Sequence, residues 1–343
     1  MSPCNSYFSL YPGLSRLEFV KKMLDDFGEN NCISSLKRMI LVREFETRGE
    51  AAYLNGLIGG FYHSYAGEEA IATSLIASCG KENFIFASYR CHGYALELDV
   101  SPSAIAAELL GKTTGCALGR GGSMHMCADT MPGGFGIVGG QIPLALGGAF
   151  SAKYLDRNCI SIAVIGDGAV AQGVFHESLN YASLHSLPLM IIVENNFWGM
   201  GTSLKKAIAA LPIWERYGKA YDILSYCLNG MDFFNCLSGF RVAHQQMFKT
   251  QRPALIECSC ARFRGHSISD PNAYRSEQEM KETFQQDPII LLKDDLIKAG
   301  LLTSEEYDVF KKEAKNTVRE AFSYAENSPD PLITELEENV YAP

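Results

Sequence analysis

Ser161–Ser203, SIAVIGDGAVAQGVFHESLNYASLHSLPLMIIVENNFWGMGTS, is the stretch whose reading decides the fold. It opens with an apolar, β-branched run that breaks at Gly166-Asp167-Gly168. A helix-length segment follows, then a second apolar run, Leu189 to Val193, ending at Asn195-Asn196. Such a pattern predicts a strand–helix–strand unit with polar residues at the carboxyl ends of both strands. A right-handed crossover brings those two ends side by side. One acidic and one amide oxygen then face the start of the connecting helix.

That corner suits a divalent cation and a diphosphate. Magnesium takes hard oxygen ligands, one or two of them from protein and the rest from phosphate and water. The glycines beside Asp167 let backbone N–H groups approach phosphates, and the helix dipole favours negative charge there. Gly-Asp-Gly alone is a weak signal, equally the mark of a plain Gly-rich turn. Joined to Asn-Asn after 26 intervening residues, it is a strong one.

At 343 residues the chain has room for one large or two modest domains, and 47% hydrophobic content describes a globular protein with a sizeable core. A net charge of −9 argues against nucleic acid or an anionic membrane as partner. No apolar run approaches the roughly 20 residues of a membrane span, and the N-terminal region resembles neither a signal peptide nor an Arg-rich transit segment. A cytoplasmic location is expected. The 11 cysteines form no CxxC pair, so structural thiols are expected rather than a disulfide framework or a zinc site.

Further strands are predicted at Phe84–Ser88, Ile223–Leu228 and Leu255–Cys260, and helices at Ser34–Leu54, from Gly67, and at Gln141–Tyr154, the last a buried helix of small residues. Gly111 to Gly140 is glycine-rich, too long for a simple turn, and read as a functional loop. From Glu277 onward the chain reads as a charged, helical outer layer. Strands interleaved with helices imply an α/β fold, a parallel sheet covered by helices on both faces, with helical extensions at both termini.

Gly166-Asp167-Gly168 with Asn195-Asn196 resembles the thiamine-diphosphate motif, and Gly199-Met200-Gly201-Thr202-Ser203 narrows the resemblance. It points to the alpha subunit of the decarboxylating component of 2-oxo acid dehydrogenases, the pyruvate-specific group most closely. The resemblance covers about residues 34 to 335. It implies a thiamine-diphosphate-binding fold with an N-terminal arm (1–30), one dehydrogenase domain (31–335) and a C-terminal tail (336–343). Magnesium ligands are implied at Asp167, Asn196 and the backbone carbonyl of Trp198. Gly168 and Ala169 are implied beside the cofactor, and Tyr89 and Arg90, ending the strand Phe84–Ser88, on its diphosphate. Gly136, Ile137 and Val138 are implied around its aminopyrimidine ring.

His266, in Gly265-His266-Ser267-Ile268-Ser269-Asp270-Pro271 after Arg262 and Arg264, is implied as a diphosphate contact. Ser267 stands where mitochondrial relatives carry a regulatory phosphate, which here would inhibit by like-charge repulsion. His63, within Phe61-Tyr62-His63, and His125, within Ser123-Met124-His125-Met126, are the catalytic candidates at a substrate-facing wall, with His266 a third. Ala171 replaces the family's usual Asn, so a supporting hydrogen bond is expected to be missing.

The family's activating glutamate comes from a beta subunit, and Glu68 and Glu69 are the only internal substitutes. The resemblance therefore implies a chain inactive alone, an alpha-two beta-two heterotetramer, and transfer of the acyl group from a 2-oxo acid to lipoyl-lysine of a dihydrolipoamide acyltransferase. Acetoin and branched-chain 2-oxo acids are the rival substrates, and a catalytically dead cofactor-binding subunit is the rival class. A nicotinamide site at Gly134-Phe135-Gly136-Ile137-Val138-Gly139 is set aside because no strand is expected immediately before it.

Overall fold

The computed structural model describes residue 11 and residues 13–337. Residues 1–10 and 12 of the expected arm, and 338–343 of the expected tail, lie outside the described residues.

Eight strands occur among them: β1 (Phe84–Ser88), β2 (Gly133–Phe135), β3 (Ser161–Gly166), β4 (Leu189–Asn195), β5 (Trp198–Gly199), β6 (Thr202–Ser203), β7 (Leu224–Asn229) and β8 (Ala254–Ser259). Six form a fully parallel sheet in the order β2-β1-β3-β4-β8-β7. β5 and β6 make a small antiparallel pair just after the central strand β4. Alternation along the strands divides the core. Ile162, Val164, Met190, Ile192 and Ile256 pack into one layer, and Ala163, Ile165, Leu189, Ile191, Val193 and Leu255 into the other. A sheet buried on both faces needs continuous apolar strands, and every residue of β4 is buried.

Helices Glu69–Cys79, Phe233–Thr250 and Ser304–Glu326 lie with the first layer, Gln141–Tyr154 and Gly173–Leu184 with the second. Leu36, Met39, Ile40 and Phe45 are buried along the long helix Glu29–Leu54, as its periodicity predicts. The helix Arg16–Phe27 starts at a Ser15–Glu18 capping box and stops at Gly28, φ 94°. It docks through Phe19, Val20, Met23 and Leu24, and Arg16 pairs with Asp232 at 2.6 Å.

Three expectations are corrected. Gly133–Phe135 is an edge strand, hidden in sequence because its glycines carry no apolar pattern. Gly134 is tolerated nowhere but as glycine: a Cβ would sit 2.4 Å from the Met124 carbonyl oxygen and 2.6 Å from Cys91 Sγ. The strand runs through the first glycine of the GxGxxG string rather than ending before it, so the dinucleotide fingerprint is still not met. Gln141–Tyr154 is not buried all round, since Leu144, Phe150 and Tyr154 are exposed on it. The charged C-terminal segment is not only an outer layer: Val318, Ala321, Phe322 and Ala325 bury one stripe of its last helix.

Candidate active site

The carboxyl ends of β1, β3 and β4 open into a cavity of about 390 Å³. In open parallel sheets this is where ligands bind, outside the strand ends at the point where chain order reverses. Here β1 and β3 are adjacent while β2 lies outside β1.

Asp167 follows β3 directly and begins a 3₁₀ turn, Asp167–Ala171, before the helix Gly173–Leu184 starts. Ala171 therefore belongs to that turn rather than to the first helical turn, and it is exposed. Asp167 is buried, and its Oδ2 has no hydrogen-bond partner. Burial pushes its carboxyl up to about 7, against the pull of the Arg262 charge. β4 ends at Asn195, which turns toward the core and donates to Glu257 Oε1 at 2.6 Å. Asn196 turns the other way, into the cavity, and donates to Glu68 Oε1 at 3.2 Å. Phe197 then takes a left-handed conformation, φ 67°, its N–H held by Asn195 Oδ1 at 3.0 Å, and this sharp turn brings Trp198 to the cavity wall.

β1 delivers Tyr89 and Arg90. The Arg90 guanidinium donates to the carbonyls of Ser64 and, at 3.1 Å, His266, and stands 3.6 Å from Glu68. Its donors thus knit the wall together. The loop after β8 supplies Arg262 and His266, while Arg264 turns aside to Glu50 at 2.8 Å. Arg275 fixes that loop by donating to the carbonyls of Arg262 at 2.8 Å and Arg264 at 2.5 Å. Arg262 donates toward His266 Nδ1 at 3.0 Å, leaving its own Nε buried without a partner. Ser267 is buried, bonded to Ser269 at 2.9 Å, and does not line the cavity.

His63, Tyr89 and His266 form an aromatic cluster, with ring centroids 4.5 Å apart for His63–Tyr89 and 5.1 Å for His63–His266. Burial, then the Arg90 charge, holds His63 far below its ordinary value and His266 down to about 4. Both rings are neutral near pH 7, each with one N–H and one lone pair. Gly136, Ile137, Val138, Gly168 and Ala169 complete the wall. Ile137 is 79% exposed, beside the opening.

Every candidate residue except His125 meets in this one space. His125 is exposed, donates Nδ1–H to the Gly134 carbonyl at 2.8 Å, and stands beside Gly136 rather than in the wall. Several wall residues escaped sequence reasoning. Gln141 is buried and anchored by its amide on the Val164 carbonyl at 2.8 Å. Glu194 accepts the hydroxyls of Tyr65 and Tyr94, each at 2.7 Å, and burial pushes its carboxyl up. Glu68, considered only as a substitute activator, reaches the wall among Asn196, Arg90 and Cys260. Its neighbour Glu69 is consumed by Arg43 at 2.9 Å. A charged residue at the tip of an apolar run, as Glu194 is, was the available signal.

Among the described residues, six buried side-chain polar atoms lack a hydrogen-bond partner, and five of them belong to this cavity: His63 Nδ1, Glu68 Oε2, Gln141 Oε1, Asp167 Oδ2 and Arg262 Nε. Buried polar groups in native proteins are normally paired. Their concentration here marks the space as built for a polar ligand. Asp167 and Asn196 offer oxygens to a cation, and Arg262 with the glycine-flanked turn offers donors to an anion, so the donor set fits a diphosphate with a hard divalent metal.

Residues 37–334 match the family described as the dehydrogenase E1 component. The chain is 37% identical over 311 residues to the pyruvate dehydrogenase E1 component subunit alpha of Rickettsia bellii, across 90% of this chain and 95% of that protein. It is 39% identical over 312 residues to the chloroplastic subunit alpha-3 of Arabidopsis thaliana, across 89% of this chain and 73% of that one. With the Rhizobium meliloti subunit alpha the identity is 35% over 325 residues, across 94% and 93%. The chain belongs to the dehydrogenase E1 component family.

Proposed function

We propose that this chain is the alpha subunit of a pyruvate dehydrogenase, acting with a beta subunit in an alpha-two beta-two assembly and passing an acetyl group to lipoyl-lysine of a dihydrolipoamide acyltransferase. The family is thiamine-diphosphate dependent and acts on 2-oxo acids. The observation that carries the proposal for this chain is the set of five unpartnered buried polar atoms around one cavity.

Asp167, Asn196 and the backbone of Trp198 would hold magnesium. Tyr89, Arg90, Gly168, Ala169, Arg262 and His266 would surround the diphosphate, and Gly136, Ile137 and Val138 the pyrimidine end. Bound thiamine diphosphate would supply the electron sink that lets a 2-oxo acid lose carbon dioxide. This chain's own work is binding and orientation. His63, neutral and with Nδ1 unpartnered, is placed to take a hydrogen bond from, or give one to, a substrate oxygen without adding a full charge. His266, in the same cluster, has Nδ1 occupied by Arg262, so its neutral ring would offer only an Nε2–H donor. His125, outside the wall, would reach substrate only at the mouth.

Among the described residues, the carboxylates near the cavity are already engaged: Glu194 accepts the Tyr65 and Tyr94 hydroxyls. Glu69 is paired with Arg43, and Glu68 is held at the Asn196–Arg90 side of the cavity. A beta subunit has a surface to cover: Ile137 and Val138 at the mouth, then Leu144, Phe150 and Tyr154 along one helix, are all exposed. A cytoplasmic location rests on composition alone. No helix among the described residues is long and apolar enough to cross a membrane.

The test is a ferricyanide-linked assay of the chain co-purified with its beta subunit, supplied with thiamine diphosphate and magnesium. Pyruvate should be turned over in clear preference to acetoin and 3-methyl-2-oxobutanoate. Preference for acetoin would keep the chemistry and overturn the substrate. Tight cofactor binding with no turnover of any of the three would favour a catalytically dead subunit.

A further inference from the structure

His92 stands outside the cavity wall, yet it joins the segments that bring two wall residues there. It begins the short helix His92–Glu97 and is fully buried. Its Nε2–H donates to the Ser123 carbonyl at 2.7 Å, because a carbonyl can only accept. On the opposite side Nδ1 meets Glu46 Oε1 at 2.9 Å. The ring stacks on Tyr62 with centroids 5.0 Å apart, and the Tyr62 hydroxyl donates to the other Glu46 oxygen at 2.7 Å. The Ser123 hydroxyl closes the circuit by donating to the Phe61 carbonyl. Gly49 makes room for it all, since a Cβ there would lie 2.1 Å from the Tyr62 hydroxyl.

Each end of this circuit is one residue from the wall. Tyr62 precedes His63, and Ser123 precedes Met124, both of which line the cavity; His125 follows. Only a rigid ring with polar atoms on opposite edges spans the carboxylate of one segment and the carbonyl of another while lying flat on Tyr62. We infer that His92 is a positioning residue, which, with Glu46, clamps the Phe61–His63 and Ser123–His125 segments together and so sets the width of the substrate-facing mouth.

The kinetic part of the test rests on the pyruvate reading, and the exchange part does not. In the complex with the beta subunit, loaded with thiamine diphosphate and magnesium, His92→Phe keeps the stacked ring and loses both polar contacts. KM for pyruvate should rise about tenfold or more, with kcat within about threefold, the pattern of lost uniform binding. Glu46→Gln should leave both within about twofold, because the amide oxygen still accepts from Tyr62 and its N–H donates to Nδ1. In the free full-length chain, amide hydrogen exchange over residues 121–126 should quicken about tenfold in His92→Phe and not in Glu46→Gln.

Unchanged exchange in His92→Phe would overturn the clamp. Faster exchange with an unchanged KM would reduce His92 to a structural residue and overturn the positioning role. Faster exchange in His92→Phe, together with a wild-type complex that ignores pyruvate, would sink the function assigned above and leave the clamp standing. If His92→Phe does not assemble, Tyr62→Phe removes one hydroxyl of the circuit, and an unchanged KM there would overturn the inference equally.

Discussion

The cavity and the floor of the glycine-rich loop treat buried polar atoms in opposite ways. Around the cavity, five side-chain atoms are buried without partners. Beneath the loop, the equally buried Glu108 is saturated. Its Oε2 accepts the backbone N–H groups of Ala117 and Gly119 at 2.8 and 2.9 Å, and its Oε1 those of Gly121 and Gly122 at 2.7 and 3.1 Å. One carboxylate replaces the hydrogen-bond ladder that a glycine-rich segment does not form for itself. Where the protein needs a fixed shape it closes every valence, and where it needs a ligand it leaves valences open at a cost in stability.

That contrast can be broken experimentally. Glu108→Gln puts an NH2 against two backbone donors. The free chain should lose about 3 kcal/mol, read from denaturant midpoints at constant slope. Asp167→Asn should do the reverse. Removing a buried charge with an unpartnered oxygen should leave the free chain as stable or stabilise it by about 1 kcal/mol. If both substitutions destabilise equally, the two regions are not different in kind.

The histidines sharpen the comparison in pH. Burial and the Arg90 and Arg262 charges keep His266 neutral in the folded chain down to about 4. The unfolded chain takes its proton first, near the ordinary value of about 6.5. Stability should therefore be flat above that value for this group and fall as pH drops from 6.5 toward 4. Thermal midpoints across that window should show a shallower fall in His266→Asn; an identical fall would mean that the ring is not held neutral. The smallest effect belongs to Ala171→Asn. Ala171 is exposed, so stability should change by less than about 0.5 kcal/mol. A gain in cofactor affinity with that change would restore the supporting hydrogen bond expected from the family pattern.

What could be read in the sequence follows from range. Asp167 and Asn196 were visible because each ends an apolar strand at a local break, and parallel pairing of β3 with β4 then brings the two ends together. The same logic found Tyr89 and Arg90 after β1. β2 was missed because Gly133-Gly134-Phe135 has no alternation to read, and it is a strand only through its pairing with Phe86–Ser88. His92 and Gln141 were missed, and Glu68 was weighed only as a substitute activator, for a related reason. Each is a polar residue at the start of a helix, where a solvated cap is the default expectation. Only contacts over long sequence separations, such as Glu46 with His92 or Glu68 with Asn196, tie them to the wall or its supports. His125 stands apart from the other candidates, exposed, bonded to the Gly134 carbonyl and beside Gly136 rather than in the wall.

The central claim is that the open valences at the strand ends await thiamine diphosphate with magnesium. Calorimetric titration of the complex with thiamine diphosphate, with magnesium and with the metal chelated, for wild type and Asp167→Ala, tests it most directly. Wild-type binding should depend on magnesium, and Asp167→Ala should weaken it by about a hundredfold or more, which is about 2.7 kcal/mol. Unchanged affinity in Asp167→Ala, with magnesium present, would contradict the assignment of this corner.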